Sequence, residues 1–276
     1  MAEKRKIASV VVVYNMFCGD SPTCRALEQT AQNDDILVVI YDNSTRPFGN
    51  EEYCAQRGWV YLGGTGNVGI SRAYNACVEY LLTTNAELMC LFDDDTELDE
   101  AYFECLRQTP WEDGDIFVPL IYAGGGLLSP CLLHPGHRVE QFADAEAAMG
   151  YQGELLSAIN SCMALKLSLF ADYRYDEAIF LDGVDHNFLA DQKAAGAKIR
   201  VIPYRCDHGF SGAEKPPKAS ALNRFRIYSK DYAYILRNDR KAYRRLVGKR
   251  ALRLTAQYRS LEFLRCLKQN APKRCG

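Results

Sequence analysis

No apolar stretch in this 276-residue sequence approaches the roughly 18 residues that a membrane-spanning helix requires, which excludes an integral α-helical membrane protein. There is no CxxC pair and no regular spacing among the eleven cysteines. That absence argues against a disulfide framework and against the common zinc patterns. Cys77, Cys90 and Cys162 lie in or beside apolar runs, as reduced core residues do. Internal repeats and low-complexity blocks are missing as well. Met1-Ala2-Glu3-Lys4-Arg5-Lys6 leads into a short apolar segment without a small-residue cleavage site, so a cytoplasmic location is expected. What remains is an ordinary globular composition, 48% hydrophobic and 25% charged, long enough for one large α/β domain with or without an appendage.

The net charge of −2 hides an asymmetry. From Lys215 onward lie 18 of the 33 basic residues and 3 of the 35 acidic ones, a net +15, which leaves residues 1–214 at −17. Pro216-Pro217 marks the boundary, so the expected organisation is a body over 1–214 and a basic, amphipathic helical extension over 215–276. In the extension Phe225, Tyr228, Tyr232, Ile235 and Leu236 recur at helical spacing, and Leu254, Tyr258, Leu261 and Leu264 do so in a second helix. A cationic helix with an apolar stripe suits an anionic membrane surface. No nucleic-acid recognition motif accompanies the charge, so nucleic acid is not expected as a partner.

In the body, apolar strands alternate with helical patterns. Strands are expected at Ile7–Val13, Ile36–Tyr41, Trp59–Leu62, Leu88–Phe92, Asp115–Ile121 and Ala197–Ile202. Helices are expected from Pro22 and Ile70 and through Phe188, and Ser157–Phe170 reads as a strand running into a helix. This alternation predicts a wound, mainly parallel sheet. Residues 123–150, rich in Gly, Pro and His, resist assignment.

The strand Leu88–Phe92 runs into Asp93-Asp94-Asp95. Three adjacent carboxylates cannot ionise inside a sheet, so they belong at its carboxyl edge, where ligands of open α/β sheets bind. Their mutual repulsion is relieved by a cation, and hard oxygens suit Mg2+ or Mn2+; a solvated acidic turn is the plain alternative. Tyr14 and Asp42-Asn43 end the first two strands at the same edge. Gly64-x-Gly66-x-x-Gly69 matches the dinucleotide fingerprint and keeps a nicotinamide-dependent oxidoreductase open, although it follows the third strand rather than the first. Asp182-Gly183-Val184-Asp185-His186 offers one carboxylate as a helix cap and another as a general base. His208, after the last strand, has the chemistry of a nitrogen ligand.

In order along the chain, VVVVYN (10–15), VVIYDNST (38–45), GNVGISRAYNAC (66–77), LFDDDTEL (91–98), INSCMALKLSLF (159–170), FLDGVDHNFLADQKAAGAKI (180–199), DHGFSG (207–212) and RIYSKDYAYILRND (226–239) resemble glycosyltransferase family 2. They look most like its bacterial rhamnosyltransferase and galactofuranosyltransferase branch. The resemblance implies a GT-A fold, an inverting mechanism and a nucleotide-sugar donor, with dTDP-rhamnose ahead of UDP-hexoses. It implies a lipid-linked glycan as acceptor, in cell-surface polysaccharide synthesis on the inner face of the cell membrane. By the same resemblance Asp93 and Asp95 are the DxD metal ligands with His208 as a third, and Asp185 is the catalytic base. Tyr14, Asp42, Asn67 and Arg72, with Asp93 and Asp94, belong to the nucleotide-sugar site. Ser161, Asp182 and His186 stand as candidates for donor or acceptor sugar contact. The chain departs from the family at Asp191, where Arg is frequent, and at Val13, where Thr is usual. A non-catalytic nucleotide-binding module is the other alternative, and self-association is left open.

Overall fold

The computed structural model describes residues 6–30, 36–207 and 215–272. Its centre is set by strands that are apolar on both sides. β1 (Lys6–Val13) sends Ile7, Val11 and Val13 into one core and Ala8, Val10 and Val12 into another, as the two-residue period of a strand dictates. There follow α1 (Pro22–Thr30), β2 (Ile36–Asp42), α2 (Asn50–Ala55), β3 (Val60–Gly63), α3 (Ile70–Leu81), β4 (Ala86–Asp93) and α4 (Glu100–Gln108). α1, α2 and α4 close the first core with Leu27, Tyr53 and Phe103. α3 closes the second with Tyr74, Cys77 and Leu81.

The chain continues through β5 (Ile116–Ala123), β6 (Gly126–Ser129), β7 (Cys131–His134), β8 (Arg138–Gln141), α5 (Ala145–Gly150) and β9 (Leu156–Ser157). β10 (Met163–Lys166), α6 (Val184–Ala194) and β11 (Ile199–Asp207) complete the body. The main sheet runs β11-β5-β10-β4-β1-β2-β3, with β6 added on β5. Pairing is parallel through β4, β1, β2 and β3, as the alternating pattern predicts, whereas β10 runs antiparallel to both β4 and β5. Residues 123–150 resolve into short strands and one helix: β7 pairs with β8 and β9 in a small separate sheet. All ten described cysteines are free, and nine of them are buried.

Beyond the body, α7 (Lys218–Ile235), α8 (Arg240–Tyr258) and α9 (Glu262–Asn270) share a third core built on Phe225, Tyr243, Val247 and Phe263. The single helix expected across Leu254–Leu264 is in fact broken. Arg259 turns left-handed (φ 49°) and ends α8, so Leu261 is left exposed while Leu254, Tyr258 and Leu264 pack into the bundle. The apolar stripe that suggested a membrane-lying helix is therefore largely consumed by helix–helix packing. Tyr234 and Ile235 of α7 also pack on the second core of the body.

Candidate active site

Strand register brings the polar strand ends to one edge. Val13 lies opposite Asp42 and Val12 opposite Asp93, so Tyr14, Asn43 and Asp94 emerge as neighbours. In antiparallel β10, Met163 faces Leu91. Continuing that register by two residues puts Ser161 opposite Asp93, and its Oγ donates to Asp93 Oδ2 at 2.6 Å. The start of α1 fixes the backbone of the acidic triplet. Ser21 Oγ donates to the Asp94 carbonyl at 2.5 Å and Thr23 Oγ1 to the Asp93 carbonyl at 2.6 Å, while Thr96 N donates to Thr23 Oγ1 at 2.8 Å. Asp94 turns back toward β1 and accepts from Tyr14 N at 3.2 Å. Burial, reinforced by the charges of Asp95 and Asp93, pushes its carboxyl up to about 6 against that hydrogen bond. Asp95 is exposed, and so is the Tyr14 ring, at 48%, which leaves an aromatic face open at the edge.

The neighbouring loops are held by the protein's own donors. Asp42, 4% exposed, accepts from Ser44 N at 3.0 Å, Asn50 Nδ2 at 2.8 Å and Tyr61 OH at 3.3 Å, so most of its capacity is spent on its own loop. Asn43 and Asn67 clasp each other: Asn43 Nδ2 donates to Asn67 Oδ1 at 3.1 Å, and Asn43 Oδ1 accepts from Val68 N at 2.8 Å. Gly69 (φ 87°) has no room for a side chain, because a Cβ there would sit 2.7 Å from the Phe180 carbonyl oxygen. The close approach that this glycine permits is filled by the chain's own Phe180. Arg72 is exposed on the first turn of α3 and pairs with Glu177 at 3.1 Å, so any contact of Arg72 with a nucleotide requires that pair to open.

Asp185 sits in the first turn of α6, and its Oδ1 accepts from His186 N at 2.7 Å. Tyr74, fully buried on α3, has its hydroxyl pushed well up by burial first and then by the charges of both Asp93 and Asp185. His186 Nδ1 lies 2.7 Å from Ser157 Oγ. Asp182 is bidentate with Arg224 of α7, with Nη2 at 2.8 Å from Oδ1. Asp191 accepts from Tyr173 OH and Asn187 Nδ2, both at 3.0 Å.

One member of this group was not found from the sequence. His137, at the tip of the β7–β8 hairpin, packs edge-on against His186 (6.3 Å between centroids) and Tyr232 (5.5 Å). Its Nδ1 is buried without a hydrogen-bond partner. Burial and the charge of His186 lower its pKa to about 4, with Asp185 pulling the other way. The only sequence signal was a histidine in an unassigned Gly/Pro-rich stretch.

The donors at this edge fit a hard divalent cation in kind: Asp93 and Asp95 offer carboxylate oxygens, and their charges, which add to burial in raising Asp94, are what a cation neutralises. In number they fall short. Among the described residues no three His, Cys, Asp or Glu side chains gather into a metal-holding group, and His208 lies outside the described residues. A Mg2+ or Mn2+ ion held by Asp93 and Asp95 would need water and phosphate oxygens to complete its shell, which is the usual habit of Mg2+. A cleft of about 830 Å³, lined by Gln108, Glu154, Lys193 and Arg200, lies elsewhere, at the amino ends of β5 and β11, and none of the candidate residues lines it.

No protein-family model and no curated protein sequence matches this chain. Solved structures do. A mannosyltransferase from Pyrobaculum calidifontis, in complex with GDP-Man and Mn2+, is 13% identical, with a TM-score of 0.55 over 86% of this chain and 65% of that one. S. aureus TarS 1–349 in complex with UDP-GlcNAc is 13% identical, with a TM-score of 0.52 over 82% and 66%. GalNAc-T7 with UDP, GalNAc and Mn2+ is 13% identical, with a TM-score of 0.59 over 90% and 55%. The chain spans less than two thirds of the length of each. At such identity the likeness is one of architecture, and what it establishes is that this mainly parallel, helix-flanked α/β sheet has the GT-A fold of those glycosyltransferases.

Proposed function

We propose that the chain is a metal-dependent, inverting glycosyltransferase, a hexosyltransferase that moves a sugar from a nucleotide donor to an acceptor hydroxyl. The observation that carries the reading is the gathering of strand-end carboxylates at one edge of the sheet, with Asp93 held by Ser161 and Asp94 by Tyr14 N, where the exposed Tyr14 ring offers a stacking face for a base. Its support from relatives is that solved structures of the same fold carry nucleotides or nucleotide sugars, two of them with Mn2+. The family resemblance favours dTDP-rhamnose, then UDP-hexoses, and a lipid-linked glycan acceptor.

In this mechanism Asp185 takes the proton of the acceptor hydroxyl. Its Oδ1 is steadied by the His186 N–H, and the second oxygen accepts the proton. The acceptor oxygen bonds to the anomeric carbon as the bond from that carbon to the diphosphate breaks, and the nucleoside diphosphate leaves with the electron pair. Inversion follows from attack on the opposite face. Asp93 and Asp95 would hold the metal, which when bound offsets charge on the leaving diphosphate. Ser161 keeps one oxygen of Asp93 aimed, and Tyr14 N keeps Asp94 turned toward β1.

Gly69 packs closely on Phe180, as the third glycine of a dinucleotide fingerprint packs its helix, so the glycine run by itself suits a dehydrogenase as well. Thermal shift against dTDP, UDP, GDP and NAD, each with and without Mn2+, separates the readings. Metal-dependent stabilisation by a nucleoside diphosphate is expected, and stabilisation by NAD alone would sink the proposal. In Asp185→Asn, donor binding should persist while turnover falls by about 10²–10⁴. Normal turnover would dismiss Asp185 as the base.

Peripheral attachment to an anionic membrane belongs to the same proposal. Among the described residues no helix is long and apolar enough to cross a membrane. What supports surface attachment is a stripe of exposed basic residues on α8, Lys241, Arg245, Lys249 and Arg253, beside exposed Leu252.

A further inference from the structure

The segment leading into Asp185 is gripped from two sides. From α3, Ile70 N donates to the Phe180 carbonyl at 2.7 Å and Ser71 Oγ to the Ile179 carbonyl at 2.6 Å. Asn75 holds both backbone groups of Tyr175, at 3.0 and 2.8 Å. From the other side comes α7. Asp231, only 2% exposed, accepts from Phe180 N at 3.0 Å through Oδ1, and from Leu181 N at 2.9 Å and Asp182 N at 2.8 Å through Oδ2. Three successive amides thus converge on one carboxylate. About two turns earlier on the same helix, Arg224 pairs with the Asp182 side chain.

A carboxylate this deeply buried is tolerated where donors meet it, and here the donors are the backbone of a single loop. That loop ends at Gly183 (φ 82°), where a Cβ would lie 2.9 Å from Ile235 Cδ1 of α7. α6 begins at the next residue and carries Asp185 in its first turn. There is no slack between the clamped amides and the carboxylate, so a shift of the loop is passed on to the start of α6.

We propose that Asp231 is a positioning residue for Asp185: by holding the amides of residues 180–182 it fixes where α6 starts and hence where the Asp185 carboxylate points. The catalytic consequence rests on reading Asp185 as the base of a sugar transfer. A displacement of about 1 Å at a reacting group costs on the order of a hundredfold in rate.

The test compares wild type, Asp231→Ala and Asp231→Asn with Phe225→Leu, a bundle-core variant chosen to lower the melting temperature similarly. Turnover is read as release of dTDP from dTDP-rhamnose, UDP from UDP-GlcNAc or GDP from GDP-mannose, each with Mn2+, and amide exchange is read over residues 175–185. In Asp231→Ala, kcat should fall by about 10- to 100-fold with KM for the donor within about threefold. Protection of amides 180–182 should be lost while the central strands keep theirs. Asp231→Asn, which retains one acceptor oxygen, should lie between. Wild-type kcat in Asp231→Ala, unchanged protection at 180–182, or an equal kcat loss in Phe225→Leu would overturn the proposal. Should the wild type bind none of these donors, the transferase reading fails instead, and the exchange data still decide whether Asp231 holds the loop.

Discussion

At the level of single residues, the acidic edge works through its supports. Ser161 donates to Asp93 at 2.6 Å, an outer contact of the kind that orients a metal ligand. Ser161→Ala should weaken Mn2+ binding by about tenfold or more while changing stability by about 1 kcal/mol. Titration of Mn2+ against nucleoside diphosphate affinity checks this, and unchanged affinity would remove Ser161 from the site. His137 gives the fold a pH dependence. It faces Asp185 and His186 on α6 and Tyr232 on α7, and beside it Arg245 of α8 donates to the Gly136 carbonyl. Its pKa of about 4 lies below the ordinary 6.5, so the unfolded chain binds the proton first as pH falls. The native state should therefore lose about 3 kcal/mol between pH 6.5 and 4, and almost none of that above 6.5. Urea midpoints at pH 7 and 5 should fall further in wild type than in His137→Asn, a substitution that suits the left-handed backbone there (φ 54°). The acidic triplet was legible because five apolar residues ending in three carboxylates admit few placements. His137 was not, because its neighbours lie about 50 and 95 residues downstream and a hairpin tip carries no periodicity.

At the level of elements, the parallel strands were readable from runs that are apolar on both faces, and the fold class followed from their alternation with helices. β10 was the strand whose direction the pattern did not declare, since side-chain alternation is the same for either direction. Yet it is the antiparallel register of β10 that sets Ser161 opposite Asp93. The break between α8 and α9 was also hidden, because Leu254, Tyr258, Leu261 and Leu264 keep helical spacing across a turn whose left-handed residue is an arginine, not a glycine. Residues 123–150 were unreadable for a different reason: strands of four residues are too short for an alternation to register. α4 should be sensitive to truncation of a buried side chain. Phe103 is fully buried and meets Phe92 and Tyr102 at 6.5 and 5.2 Å, so Phe103→Ala should destabilise by about 3–5 kcal/mol in chemical denaturation. A loss under 1 kcal/mol would mean that the first core is looser than its packing implies.

At the level of the whole molecule, the split between an acidic body and a basic helical bundle takes on a different meaning once the contacts are seen. Part of the bundle's charge is used internally: Arg224 on Asp182, and Arg250 over the Tyr228 ring at 4.0 Å. The stripe on α8 stays exposed for an outside partner, with Arg245 also donating to the Gly136 carbonyl. Reversing Lys241, Arg245, Lys249 and Arg253 to Glu should abolish co-sedimentation with vesicles rich in anionic lipid at about 0.1 M salt and leave binding to neutral vesicles unaffected. Retained binding would reject the membrane assignment. Removing the bundle outright is a poorer experiment, because Asp231 and Ile235 would leave with it.

The reach of α7 back to residues 180–182 also sets an order of assembly. The amides that Asp231 receives precede it by 49–51 residues, and the hairpin tip at Gly136 waits for Arg245, 109 residues on. As a chain emerges from the ribosome, domains form from the amino end. β1 to β4, with the acidic triplet, are available early, whereas the segment bearing Asp185 acquires its last fastenings only when the final helices have been made. The half of the site that would bind a donor can thus be complete on a nascent chain before the half that would activate an acceptor.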